Sequence, residues 1–164
     1  VIQDREGTVA EGKKFWAEKS ALDLKSGRVQ LMTHDFFQEN PVKGADVYLL
    51  RYIMHDWSDE YCIQILSQIG KAMGPHSRVL IADQVMNTTL GGSELPSAPA
   101  PLLANYGTYV RFSHQIDIAL LSTINGIERT PLQFKRIVEA AGLRIDKIIG
   151  ARTQVSVVEC VRAF

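Results

Sequence analysis

The stretch Asp46-Val-Tyr-Leu-Leu-Arg-Tyr-Ile-Met-His55-Asp56-Trp57-Ser58-Asp59-Glu60 decides how this chain reads. Val47 to Leu50, with Ile53 and Met54, make an apolar run of strand length, and Ser58-Asp59-Glu60 supplies an N-cap and acidic first-turn residues for the next helix. His55 therefore falls on a strand-to-helix turn, at the edge where open α/β sheets hold their ligands. With an ordinary pKa near ~6.5, a histidine there accepts a proton at neutral pH and is a candidate general base. It is equally a candidate for a hydrogen-bonded turn residue.

Outward from this segment, strands and helices alternate. Val1 to Asp4 reads as the end of a strand, and Thr8 to Lys19, with Val9, Phe15 and Trp16 among charges, as an amphipathic helix. Arg28 to Thr33 and Gly44 to Tyr52 are strands, and Asp59 to Met73 repeats Cys62, Ile63, Leu66, Ile69 and Met73 at core-helix spacing before Gly74-Pro75. Arg78 to Met86 is the next strand. Residues 87 to 109 break the pattern with Gly91-Gly92, Pro96, Pro99 and Pro101, a connection long enough to be a lid or insertion loop. His114 to Ile124 resumes helical spacing, Thr130-Pro131 opens another helix that Gly142 closes, and Leu143 to Ile149 with Thr153 to Val161 form a last β pair. The alternation predicts an α/β fold, its sheet mainly parallel with one antiparallel strand.

Composition narrows the function. The 164 residues are 46% hydrophobic and carry 18 Lys and Arg against 18 Asp and Glu, which suits one globular domain and gives no basic patch for nucleic acid. No stretch approaches the ~20 apolar residues of a membrane span, and no signal peptide is evident, so a cytoplasmic (cytosolic) protein with no membrane partner is expected. Cys62 and Cys160 lack disulfide or metal-pair spacing and read as buried thiols. His34, His55, His76 and His114 are scattered, so no metal is expected.

Four motifs in register, Asp35-Phe-Phe, Leu50-Arg51-Tyr-Ile-Met-His55-Asp56-Trp57-Ser-Asp-Glu, Leu80-Ile-Ala-Asp83 and Gly126-Ile-Glu128-Arg129-Thr130, resemble S-adenosylmethionine-dependent O-methyltransferases of the plant and fungal caffeate/flavonoid type, most closely the fungal branch. The likeness runs over nearly the whole chain. It implies a Rossmann-like class I methyltransferase sheet, of which residues 1–164 would be a partial catalytic domain. The first strand and glycine-rich loop would lie upstream of Val1, as would the N-terminal region through which the full-length family forms homodimers. The absent strand would sit centrally, between the one ending at Asp4 and the one ending at Met54.

The resemblance also assigns roles. Asp4 would hydrogen-bond the cofactor ribose, although it also suits a helix N-terminus; Asp35 would lie beside the adenine, with Phe36 packed on its ring. Arg51 stands where relatives often carry Lys near the cofactor carboxylate, keeping the charge but changing the donor geometry. His55 would be the base, flanked by Asp83, one methylene shorter than the usual Glu, and Glu128. Asp56 is expected to cap the following helix, while Trp57 either covers the cofactor or closes the core. The helix from His114 to Ile124 would line the acceptor pocket, with Ala119-Leu120-Leu121 where some relatives place a methionine.

The implied chemistry explains these residue types. A phenol with a pKa near ~10 is only about one-thousandth ionised at pH 7, so a base beside the hydroxyl supplies the nucleophile and typically contributes ~10²- to 10⁴-fold. An acid on the far imidazole nitrogen fixes the tautomer. A small aromatic hydroxyl-bearing substrate and S-adenosylmethionine, giving S-adenosylhomocysteine, are the implied partners. Two further readings stand beside this one. The chain is a catalytically inactive fragment or interaction module derived from such an enzyme, or it is a nicotinamide dehydrogenase using Asp4 on a ribose hydroxyl.

Overall fold

Val47 to Arg51 forms the strand expected from its apolar run, and the site is built at its C-terminal end. The computed structural model describes residues 1–151 and 153–163. In chain order the elements are β1 (Ile2–Asp4), α1 (Glu6–Lys25), β2 (Leu31–Thr33), β3 (Val47–Arg51), a 3-10 turn (Met54–Asp56), α2 (Asp59–Ala72), β4 (Arg78–Asp83), α3 (Thr108–Ile124), α4 (Pro131–Ala140), β5 (Leu143–Gly150) and β6 (Ser156–Arg162).

The strands fall into two sheets. β1 and β2 pair in parallel, and β3-β4-β6-β5 form a four-stranded sheet in which β3 and β4 are parallel while β6 runs antiparallel to both neighbours. Within that larger sheet β6 is thus the one reversed strand. β1 and β3 are not paired with each other, and Val47 and Leu49 on β3 are exposed. A cleft of about 690 Å³ runs between the two sheets.

The core lies where α2 and α4 cover the larger sheet. Cys62, Ile65, Leu66 and Ile69 of α2 meet Val79 and Ile81 of β4, Phe134, Ile137 and Val138 of α4, and Val158 of β6. Tyr48 is the one polar-tipped side chain of β3 in this layer, with its hydroxyl between the Val42 and Ala72 carbonyls and accepting the Ala45 N–H. Both thiols are buried, and burial pushes Cys62 up to about 11 and Cys160 up to about 12.

Several boundaries move for local reasons. α1 extends to Lys25 through a non-helical Ser20, and Val9 alone of its apolar residues is buried; Phe15 faces solvent, edge-on to Trp16. Its amphipathic reading therefore overstates its burial. β2 begins only at Leu31 because Val29 N–H is tied back to the Asp23 carbonyl. α3 starts at Thr108 rather than His114, after Gly107 at φ 142°, and Val110 and Ser113 bury its first turns. The irregular connection therefore ends at Gly107. It is tied to itself, with Ala104 N–H on Thr89 O, Ala98 N–H on Ala104 O and Asn87 Nδ2 on Pro96 O.

α4 has the N-terminus its sequence promises. Thr130 Oγ1 accepts the Gln133 N–H, Gln133 Oε1 accepts the Thr130 N–H, and Pro131 takes the first helical position. Thr130→Ala is expected to lower stability by about 1 kcal/mol in urea unfolding; an unchanged midpoint would show that the cap is idle.

Candidate active site

The turn after β3 is held from two sides. Tyr52 leaves the strand with φ 53°, its N–H donating to Ala82 O at 3.2 Å, so the backbone turns sharply and winds the 3-10 turn that carries His55. Beneath it Asp83, wholly buried at the end of β4, accepts the Met54 N–H through Oδ2 at 3.1 Å. From the far side, Ile127 N–H donates to His55 O at 2.9 Å. A Cβ on Gly126 would stand 2.5 Å from that same carbonyl, so this close approach requires glycine.

Arg129 completes the grip. Only 1% exposed, its guanidinium donates to Met54 O at 2.5 Å, to Trp57 O at 2.8 Å, and to Asp59 Oδ1 through Nη2 at 2.7 Å and Nε at 3.0 Å. Its own backbone is pinned by the Met86 N–H on Arg129 O. One planar fork thus spans the 3-10 turn and the first residue of α2, a geometry an ammonium cannot reproduce.

His55 Nδ1 lies 3.0 Å from Glu128 Oε1, which accepts its proton and leaves Nε2 as the basic face. Nε2 is 3.4 Å from Asp56 Oδ1. Asp56 does not cap α2; Ser58 holds the N-cap position, because the 3-10 turn directs residue 56 back along the imidazole. Tyr52 stacks on the His55 ring at 5.5 Å and 20°, with the Arg51 guanidinium 5.0 Å from the centre of the tyrosine ring. The Glu128 hydrogen bond raises the His55 pKa above its ordinary value; burial opposes this, and the charges of Glu128, Asp83 and Asp56 add to it. Burial pushes the Asp83 carboxyl up, with His55 opposing and Glu128 adding. Asp83 therefore meets the turn's backbone, while the hydrogen bond to the ring comes from Glu128.

Asp4, Asp35, Phe36 and Arg51 all line the cleft between the sheets, along with Arg5, Phe37, Ile53 and Trp57. Asp4 Oδ1 accepts the Arg5 N–H at 2.7 Å, and Asp35 Oδ1 accepts the Phe37 N–H at 3.0 Å, which fixes both carboxylates at the ends of β1 and β2. Trp57 packs among Phe36, Phe37 and Tyr61, with ring centres 4.9 to 5.9 Å away. Residues 87, 88 and 91–95 of the long connection line a second cavity, of about 740 Å³, against α4 and β5. Among the described residues no three His, Cys, Asp or Glu side chains gather as a metal site, and no helix is long and apolar enough to cross a membrane.

Sequence reasoning passed over Arg129, Gly126, Tyr52, Gln84 and Asp117. Arg129 and Gly126 stood in a quoted motif without a role, since nothing in a linear pattern marks an arginine for burial. Gln84 donates to Glu128 Oε1 at 3.2 Å, and Asp117 of α3 accepts the Glu128 N–H at 2.8 Å.

With this geometry in view, the chain's relatives can be read. A profile of the O-methyltransferase domain matches residues 9–144, and the chain belongs to that family. It is 55% identical over 164 residues to the O-methyltransferase gedA of Aspergillus terreus, covering 99% of this chain and 34% of that protein, and 54% identical to the O-methyltransferase tpcA of Aspergillus fumigatus, covering 98% and 34%. The chain thus spans about a third of the length of these curated relatives. Among solved structures it superposes on CalO1, a methyltransferase in calicheamicin biosynthesis in its S-adenosylhomocysteine-bound form, with TM-score 0.72 and 30% identity over 98% of this chain and 40% of that one.

Substitutions at two positions test how the turn is held. Gly126→Ala is expected to push the His55 carbonyl aside and cost about 1 to 3 kcal/mol in chemical unfolding. Asp83→Ala leaves the buried Met54 N–H unpaired, at a cost of about 1 to 3 kcal/mol, whereas Asp83→Asn keeps an acceptor for it. The asparagine variant should therefore lose less stability than the alanine variant. Equal losses in the two would refute the role given to Oδ2.

Proposed function

We propose that the chain carries the catalytic portion of an enzyme that moves a methyl group from S-adenosylmethionine to a phenolic hydroxyl of a small aromatic molecule, with His55 as general base. The observation that carries this reading is the His55–Glu128 contact at 3.0 Å, on a turn adjoining the cleft in a chain of the O-methyltransferase family. The names of gedA and tpcA agree with methyl transfer to oxygen, and CalO1 binds S-adenosylhomocysteine. By analogy with the wider family, the full-length protein is proposed to act as a homodimer.

The cleft residues fit this cofactor by chemistry. Asp4 offers a carboxylate acceptor to ribose hydroxyls, Asp35 an acceptor to the adenine amino group, Phe36 a ring for packing, and Arg51 a cation to the terminal carboxylate. When bound, S-adenosylmethionine would supply a sulfonium methyl that an oxygen nucleophile takes, with S-adenosylhomocysteine as the leaving group. His55 Nε2 takes the phenol proton, Glu128 holds the imidazole and stabilises the imidazolium, and Asp83 and Arg129 keep the turn from shifting as charge develops. Asp56, 42% exposed at its side chain, is the group the incoming hydroxyl meets beside Nε2.

Thermal unfolding with and without S-adenosylhomocysteine tests the cofactor assignment, because a ligand of the folded state must raise the midpoint. An upward shift is expected; none would favour the reading of an inactive or purely interacting chain. His55→Ala should then lower transfer from methyl-labelled cofactor to phenols by ~10²- to 10⁴-fold while the shift with S-adenosylhomocysteine persists. Loss of both together would make His55 a structural residue.

A further inference from the structure

Among the described residues Glu128 is the only hydrogen-bond partner of the base at Nδ1, and its carboxylate is held in an unusual way. The side chain is wholly buried, and Oε2 has no partner among the described residues. Oε1 takes both of the hydrogen bonds seen at the carboxylate, from His55 Nδ1 at 3.0 Å and from Gln84 Nε2 at 3.2 Å. Gln84, 4% exposed, follows directly on Asp83 at the end of β4, so it approaches from the sheet while the histidine approaches from the turn.

We propose that Gln84 is a positioning residue for the His55–Glu128 pair, acting through the carboxylate oxygen that it shares with the imidazole. The amide orientation follows from charge, since its oxygen turned toward Glu128 would set acceptor against carboxylate. Gln84 also tempers the base. Three acids face this histidine: Glu128 from the segment after α3, Asp83 from β4 and Asp56 from its own turn, with the Tyr52 ring stacked alongside. The Arg129 guanidinium is committed to Asp59 and two carbonyls, and Asp117 takes the Glu128 N–H, so neither donates to the carboxylate. Gln84 is thus the neutral donor that draws charge from Oε1 and keeps the acid cluster from holding the proton on His55 too tightly. A base that cannot release its proton at working pH turns over slowly.

The test is an NMR titration of the His55 ring in this chain, its resonance assigned by its loss in His55→Gln. Gln84→Met fills the same space without the donor and is expected to tighten proton binding at His55 by roughly three- to tenfold, the worth of one hydrogen bond. Gln84→Asn, one methylene short, should move the midpoint the same way, and it carries the test if the methionine variant does not fold. An unchanged or lowered midpoint in a folded variant overturns the proposal, even where the unfolding temperature falls, because packing alone would lower the latter. This inference rests on His55 as base only for its consequence in turnover, where the acidic limb of the kcat profile, on which His55 loses its proton, moves to higher pH with KM little changed. If the titration moves but His55→Ala retains turnover, the base assignment fails and the action of Gln84 on the His55–Glu128 pair stands.

Discussion

Everything in the site hangs on one buried cation. The Arg129 guanidinium lies inside the loop of chain from Met54 to Asp59, where it satisfies two inward-facing carbonyls and the carboxylate at the start of α2. A turn of this kind between strand and helix normally leaves polar backbone groups for water. Here a side chain from a distant segment takes water's place, and it is anchored because residues 126–129 also bond to His55 O and to Met86 N–H. The same tetrad of residues thus delivers the acid on the imidazole, the glycine against its carbonyl and the clamp on its turn. An imidazole whose nitrogen must face an acceptor within a few tenths of an ångström needs support of this kind.

The sequence was most legible where local rules and burial agree. The apolar run at 47–50, the spacing of α2, the Thr130-Pro131 helix start and the closing β pair all carry signals that tertiary packing then reinforces. It was least legible where burial and pattern part company. α1 has helical composition but little to pack against, so Phe15 and Leu22 face solvent. Within the site, His55 and Glu128, singled out by their motifs, lie 3.0 Å apart, and the four residues expected at the cofactor share one cleft. Asp56 did not follow expectation, because a 3-10 turn rather than an extended link precedes α2. Gln84 and Asp117 carry no linear signal, since each matters only by meeting Glu128 across the fold.

The two sheets divide the labour. The four-stranded sheet and its helices contain the core and border the turn of His55, while the β1–β2 pair contributes Asp4 and Asp35 across the cleft. Tyr52, just past the end of β3, has a left-handed backbone conformation uncommon for an aromatic residue, with Arg51 over its ring and His55 stacked beside it. The π-cloud of that ring is favourable to a permanent cation, Arg51, and to one that forms only on protonation, His55.

The connection from Asn87 to Gly107 closes its hydrogen bonds almost entirely upon itself, and Leu95 is its apolar contact with the core. A segment organised this way is cheap to rewrite. Its length and composition can drift among descendants without disturbing β4 before it or the grip of residues 126–129 after α3, so novelty in this lineage has somewhere to accumulate while the machinery of the turn stays fixed.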